Sequence, residues 1–152
     1  MRKLSIPYFS DRQMGQVIIT LNIANQIDQI LAERGFISPE EVRSVTLTNV
    51  LVDTGATLLC LPSSVITQLG LVQRGEASIQ TTAGLQQGRI FQNAELSIEG
   101  RQSTFDCLEL TEVPYALLGV LPMQRLGLEP DLTNHKLRLL PMNSEQSYLT
   151  VL

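Results

Sequence analysis

The sequence predicts a mainly β protein with short helices, folded as one lobe. Three observations carry this. Runs of strand length rich in β-branched residues recur along the chain, helical periodicity is confined to short pieces between them, and glycine or proline closes most runs. A length of 152 residues suits a single domain. With 43% hydrophobic and 17% charged residues, the chain can build a core without disulfides. We expect one domain over residues 1–152, with a core at about 14–141, a helical insertion at about 25–41 and a tail at 142–152.

Residues 15–24 (GQVIITLNIA) alternate as a strand with two unlike faces. Asn25 then suits the cap of a short helix with Asp28 three positions on. Ile27, Ile30 and Leu31 form its apolar face, and Arg34 and Gly35 stop it. Ser38, Pro39 and Glu41 repeat the capping pattern, so the segment reads as a helical insertion. Residues 45–53 (VTLTNVLVD) form the next strand, which turns almost wholly apolar before Asp53 and the breaker Gly55. Residues 58–61 (LLCL) form another strand, and Pro62 opens a short helix through Val65, Ile66 and Leu69 that Gly70 closes.

Residues 77–84 and 89–99 read as two strands of a projecting hairpin, with residues 84–88 (GLQQG) as its polar tip. Ala94, Leu96 and Ile98 face one way and Glu95, Ser97 and Glu99 the other; Gly100 then turns the chain into a partner strand over residues 102–110. YALLG at 115–119 is a short apolar strand, and VLPMQRLGL a helix stopped by Gly127. Leu69, Gly70 and Leu71 are echoed by Leu126, Gly127 and Leu128, which hints at an approximate internal twofold. Residues 136–140 give a last core strand, and the apolar tail 148–152 is β-prone and in need of a partner.

Fifteen acidic against eleven basic residues give a net charge of -4, opposite to the footprint that phosphate backbones attract, so nucleic acid is excluded as the expected partner. Residues 1–13 (MRKLSIPYFSDRQ) lack the apolar stretch of a signal peptide, and no run reaches the length of a membrane span. A cytoplasmic protein with no membrane contact is the expectation. Cys60 and Cys107 lie in apolar runs without metal-ligand spacing and read as reduced core thiols.

Asp53 stands apart from the other acids, because Val50, Leu51 and Val52 precede it and Thr54, Gly55 and Ala56 follow. A carboxylate carried to a loop by a buried strand is costly to desolvate and is tolerated where hydrogen bonds or a shared proton hold it. Taken alone, Asp-Thr-Gly is equally a turn in which the acid is satisfied by the amides of Thr54 and Gly55.

The strings LVDTGATLLCLP, TTAGLQQG and YALLGVLPMQRLGL occur in the order and spacing of retropepsin-like aspartic proteases, and the chain resembles that family over roughly residues 14–141. It is most similar to the bacterial, cyanobacterial-type single-domain branch. The resemblance implies an acid-protease β-barrel with one lobe per chain, active as a homodimer on a peptide or protein substrate, with no metal or other cofactor. It implies that Asp53 is the catalytic carboxylate, with Thr54, Gly55 and Ala56 supporting its loop. Thr82, Ala83, Gly84, Leu85 and Gly88 would belong to a flap, Leu118 and Gly119 to a supporting second loop, and Leu58, Val120 and Leu121 to substrate pockets. Many viral members carry acids after the Asp-Thr-Gly-Ala loop and an arginine after the second-loop glycine. Here those places hold Thr57, Leu58 and Val120, so that ion-paired dimer brace is not expected.

Other chemistries have weaker support. His135, the sole histidine, sits in a turn, and a nucleophilic pair with Cys60 or Cys107 would need an accessible, electropositive thiol. Glu129, Asp131 and His135 lack a recognisable metal-ligand spacing. The rival of another class is a retropepsin-like fold that serves as a peptide-binding or dimerising module with little turnover.

Overall fold

A computed structural model describes residues 16–141, so the amino-terminal 1–15 and the predicted tail strand lie outside the described residues. In chain order the elements are β1 (Ile18–Asn25), α1 (Gln26–Glu33), a 3-10 turn (Pro39–Glu41), β2 (Ser44–Val52), β3 (Leu59–Pro62) and α2 (Ser63–Leu69). There follow β4 (Val72–Thr81), β5 (Gly84–Ile98), β6 (Arg101–Leu110), β7 (Leu117–Leu118), α3 (Val120–Leu126), β8 (Leu128–Asp131) and β9 (Lys136–Leu139). No helix among these residues is long and apolar enough to cross a membrane.

The expected barrel is present. The strands run β1-β2-β7-β3-β6-β5, and β5 pairs back onto β1, which closes a ring of six. Closure depends on Asn93. Up to Gln92, β5 pairs with β4 along one edge, and from Ala94 that same edge belongs to β1. Asn93 between them adopts a left-handed φ of 66°, sits in an irregularity of the β5–β6 register, and donates from Nδ2 to Gln26 Oε1 at 2.7 Å. The alternation expected for residues 94–98 then holds, with Ala94, Leu96 and Ile98 buried. They join Leu21, Ile23, Val50, Leu59, Leu61, Leu69, Cys107 and Leu118 in one core.

The internal echo is structural as well. α2 and α3 each end on a glycine in the left-handed conformation, Gly70 at φ 65° and Gly127 at φ 66°. The strands that precede these helices, β3 and β7, pair antiparallel with each other through Leu59↔Leu118 and Cys60↔Leu117.

Five expectations are corrected. The hairpin tip is Thr82 and Ala83, with Thr81 paired to Gly84; Leu85, Gln86, Gln87 and Gly88 lie within β5 opposite Gln80, Ile79, Ser78 and Ala77. Gly84 at φ 107° and the Thr81 hydroxyl, which donates to Gly84 O and accepts from Ala83 N, close the turn two residues earlier than the glycine spacing suggests. The first strand of the hairpin also begins five residues early, at Val72.

The apolar face of α1 is turned outward, with Ile27 46% and Ile30 38% exposed, while Asp28 is buried. A polar knot decides this. Asn25 accepts from Asp28 N and donates to Leu69 O at 2.9 Å, and Asp28 takes Arg43 N, Nε and Nη2 at 3.0, 2.8 and 3.0 Å. These bonds satisfy buried groups that no apolar contact could replace, so they override the helix's hydrophobic pattern.

The strand at residues 136–140 is no core strand. Among the described residues β9 pairs with β8 alone in a separate two-stranded sheet, and of its side chains only Leu137 packs partly against the core. Lastly, the predicted strand at 115–119 shortens to the two residues of β7, each bonded on both sides by β2 and β3.

The insertion joins β1 to β2 at the Asn25 and Ser44 ends. Asp53 follows the opposite end of β2, whose nine residues span about 30 Å. The insertion therefore stands apart from the Asp53 loop.

Candidate active site at the Asp53 loop

β2 delivers Asp53 because its last residues are held on both sides. Ile18 and Ile19 of β1 pair with Leu51 and Val50, and β7 lies parallel on the other flank, with Leu51↔Leu117 and Val52↔Leu118. Asp53 N donates to Leu118 O at 3.0 Å, so the residue is fixed by its backbone before its side chain makes any contact. The half-buried carboxylate then accepts from Gly55 N through Oδ1 at 2.8 Å, and Ala56 N donates to Asp53 O at 3.1 Å. A Cβ on Gly55 would lie 3.2 Å from that oxygen, so glycine lets the amide approach the acid.

The second loop clamps the first. Val120 N donates to Ala56 O and Leu121 N to Thr57 O, both at 2.9 Å. The two loops touch because residue 119 has no side chain: a Cβ on Gly119 would lie 2.7 Å from Ala56 O, and closer still to Leu58 O. The structure thus brings together Asp53, Thr54, Gly55, Ala56, Leu58, Leu118, Gly119, Val120 and Leu121. Thr54 and Gly55 are exposed, Leu58 and Val120 half-buried, and Leu121 is 47% exposed, which leaves an open apolar rim beside the acid. Thr82, Ala83, Gly84, Leu85 and Gly88 sit on the separate β4–β5 hairpin, where Leu85 is 71% exposed.

The acid has no mate from its own strand end. By the parallel register, Gly119 is the residue beside Asp53. That strand end carries no second carboxylate.

The rival groups are otherwise engaged. Burial pushes the Cys60 thiol up to about 12, the Asp53 charge adding to it, and burial does the same to Cys107. Both are free thiols held as their neutral forms, the reverse of a nucleophile. Asp131 accepts from Thr133 N, Asn134 N and Asn134 Nδ2, and Glu129 pairs with Arg138 at 2.8 Å, so these acids hold the β8–β9 turn in which His135 sits at φ 56°.

Sequence reasoning missed one charged pair close to the hairpin. Arg89 Nε and Nη2 meet Glu109 Oε1 and Oε2 at 2.7 and 2.8 Å, and Glu109 is only 8% exposed. The readable signal was an acid between Leu108 and Leu110 in an alternating strand.

A protein-family model described as Aspartyl protease matches residues 40–130, which run from the 3-10 turn to β8 and take in Asp53 and Gly119. No curated protein matches the chain. Among solved structures, the EIAV protease complexed with the inhibitor HBY-793 is 25% identical. That match covers 54% of this chain and 78% of the viral one, with a TM-score of 0.47. The simian foamy virus (mac) protease, determined in solution, is 23% identical over 49% of this chain and 76% of its own, with a TM-score of 0.39. The family match spans more than half of the sequence and takes in both loops of the pair built around Asp53, so this chain belongs to the aspartyl protease family.

Proposed function

We infer that the protein is an aspartic endopeptidase whose active centre forms when two copies bring their Asp53 residues together. The single observation that carries this is the strand end beside Asp53. It bears Gly119, and the sequence holds Asp-Thr-Gly once, at residues 53–55, so one chain supplies one such carboxylate to a reaction that needs two. Peptide hydrolysis by activated water requires one acid to accept the water's proton while the other, protonated, hydrogen-bonds the scissile carbonyl. Two such acids in contact cannot both ionise and so share a proton. Attack by the water gives a tetrahedral diol, and the protonated acid passes its proton to the leaving nitrogen.

In this reading Gly55 N holds Asp53 Oδ1 and leaves the other oxygen for water. Thr54 and Ala56 complete the loop, and Leu118 and Gly119 brace it from behind. The β4–β5 hairpin acts as the flap: Thr82 and Ala83 form its tip, Gly84 its turn, and Leu85 and Gly88 its returning strand. Leu58, Val120 and Leu121 contact substrate side chains. An extended peptide pairs its backbone with the cleft, as strands pair with edges.

The test is cleavage of an unfolded protein mixture from about pH 3 to pH 7, with and without pepstatin, by wild type and Asp53→Asn. Asn keeps the shape but cannot shuttle a proton, so the variant loses at least about 10²- to 10⁴-fold. Equal activity in the variant refutes the protease. Peptide binding without Asp53-dependent cleavage assigns the fold to a binding module instead. Activity per chain also falls on dilution as half-sites separate. Dilution-independent activity from a monomer refutes the shared centre.

A further inference from the structure

Among the described residues, 84–89 of β5 pair only with β4, because β6 first meets β5 at Ile90↔Leu108. β4 is itself the end strand of the sheet among the described residues. Residues 76–89 therefore form a two-stranded arm that extends past the barrel. A free two-stranded hairpin is marginal in water, so the attitude of this arm is set at its root.

The root is where the missed ion pair sits. Arg89 is the last arm residue before β6 takes over, and its guanidinium forks onto Glu109 with both bonds near 2.8 Å. Glu109 is buried on β6, and the Arg89 guanidinium beside it, with help from the Ser63 hydroxyl, holds its carboxyl below the usual range. Glu109 is also paired in register with Leu61 of β3, the strand that leads directly out of the Asp53 loop. Arg89 further lies over the buried Phe91 ring at 5.3 Å and faces Glu76 across the arm. A Cβ on Gly88 would run into Ile79 Cδ1 and lie 2.9 Å from Leu108 Cδ1, so the arm and β6 also meet there by side-chain packing. The companion tie, Arg74 to Asp106 at 2.6 Å, lies on the more exposed side of the root.

We propose that the Arg89–Glu109 pair is the fulcrum of the arm, a positioning pair that fixes the arm to the strand behind the Asp53 loop so that it can hold substrate. The proposal rests on the arm acting as the flap. Bidentate geometry matters here: a lysine restores the charge but not the fork, and so holds the angle of the arm less well. An arm that grips ground state and transition state alike contributes uniform binding, whose loss is read in KM rather than kcat.

The experiment compares wild type, Arg89→Met, Arg89→Lys and Glu109→Gln by backbone amide exchange and by steady-state cleavage of fluorescent casein. In Arg89→Met, amides of residues 76–88 exchange about tenfold or more faster while those of β1 and β2 are unchanged. KM rises about 10- to 100-fold with kcat within about threefold. Arg89→Lys falls between the two, and a merely structural loss would instead speed exchange in every strand. Should Arg89→Met fail to fold, Arg89→Lys and Glu109→Gln carry the same comparison. Unchanged arm exchange in the folded variants overturns the fulcrum. Faster exchange with unchanged KM overturns the link to substrate. Wild-type protein that does not cleave casein overturns the protease reading instead, and arm exchange then decides the fulcrum by itself.

Discussion

Gly119→Ala tests the loop clamp with a single methyl group. The backbone at Gly119, φ -91° and ψ -170°, is open to any residue, so the substitution carries no conformational penalty of its own. Its effect is steric. The new Cβ would stand 2.7 Å from Ala56 O and nearer to Leu58 O, and neither backbone oxygen can rotate away. Relief to an ordinary contact needs the second loop to retreat by about 0.5–1 Å, which stretches the 2.9 Å bonds Val120 N to Ala56 O and Leu121 N to Thr57 O past useful length. Two bonds at about 1 kcal/mol each, with about 1 kcal/mol of residual strain, give a loss of about 2–4 kcal/mol. For a chain of this size the melting temperature falls by roughly 5–15 °C. Thermal unfolding by circular dichroism measures it, with Gly75→Ala as control. Gly75 has no neighbour within 4 Å of its would-be Cβ and no left-handed φ, so its variant stays within about 0.5 kcal/mol of wild type. A Gly119→Ala protein that melts with wild type and cleaves as well would refute the idea that the loops need this contact.

Asn25→Ala removes the cap of α1 and strands Leu69 O, and we expect a loss of about 2–4 kcal/mol by urea unfolding; a change under about 0.5 kcal/mol would show that the knot is dispensable. Arg43 and Arg89 hold the Asp28 and Glu109 carboxyls below their ordinary values of 3.8 and 4.5. The unfolded chain then binds more protons in that range, so these pairs contribute fully above the ordinary values and are lost as pH falls through the lowered ones. Stability measured from about pH 7 to pH 3 therefore declines on the acid side, and Asp28→Asn with Glu109→Gln flattens that decline; an equal slope in the variant would remove both acids from the account. With both thiols pushed up to about 12 by burial, native protein leaves Cys60 and Cys107 unlabelled by iodoacetamide at about pH 8, and both label on unfolding. Rapid labelling of native protein would contradict the buried placement.

Short-range features were legible in the sequence. β2, β3 and β6 lie within a residue or two of their predicted spans, and Gly70 and Gly127 end their helices as expected, because apolar runs and helix stops are local signals. Asp53 was readable for the same reason: an acid after three apolar residues and before a glycine marks a loop at the end of a buried strand. The inward face of α1 was not readable. Its periodicity favours Ile27 and Ile30, yet Asp28 turns inward because Arg43, fifteen positions on, meets it there. The hairpin tip was misplaced because two glycines outweighed the Thr81 hydroxyl that closes the turn.

By itself, then, the sequence determined which segments become the strands of the ring, where the short helices stop, and which carboxylate sits at a loop under a buried strand, since each follows from residues within a few positions of one another; β8 was not among the strands it predicted. Tertiary structure alone decided that the strands close into a ring at Asn93, that Gly119 seats the second loop against the first, and that Glu109 is neutralised by Arg89. Those outcomes depend on groups 20 or more positions apart, as Arg89 and Glu109 are, and their partners are chosen by the cost of leaving a buried polar group or a backbone oxygen unaccommodated.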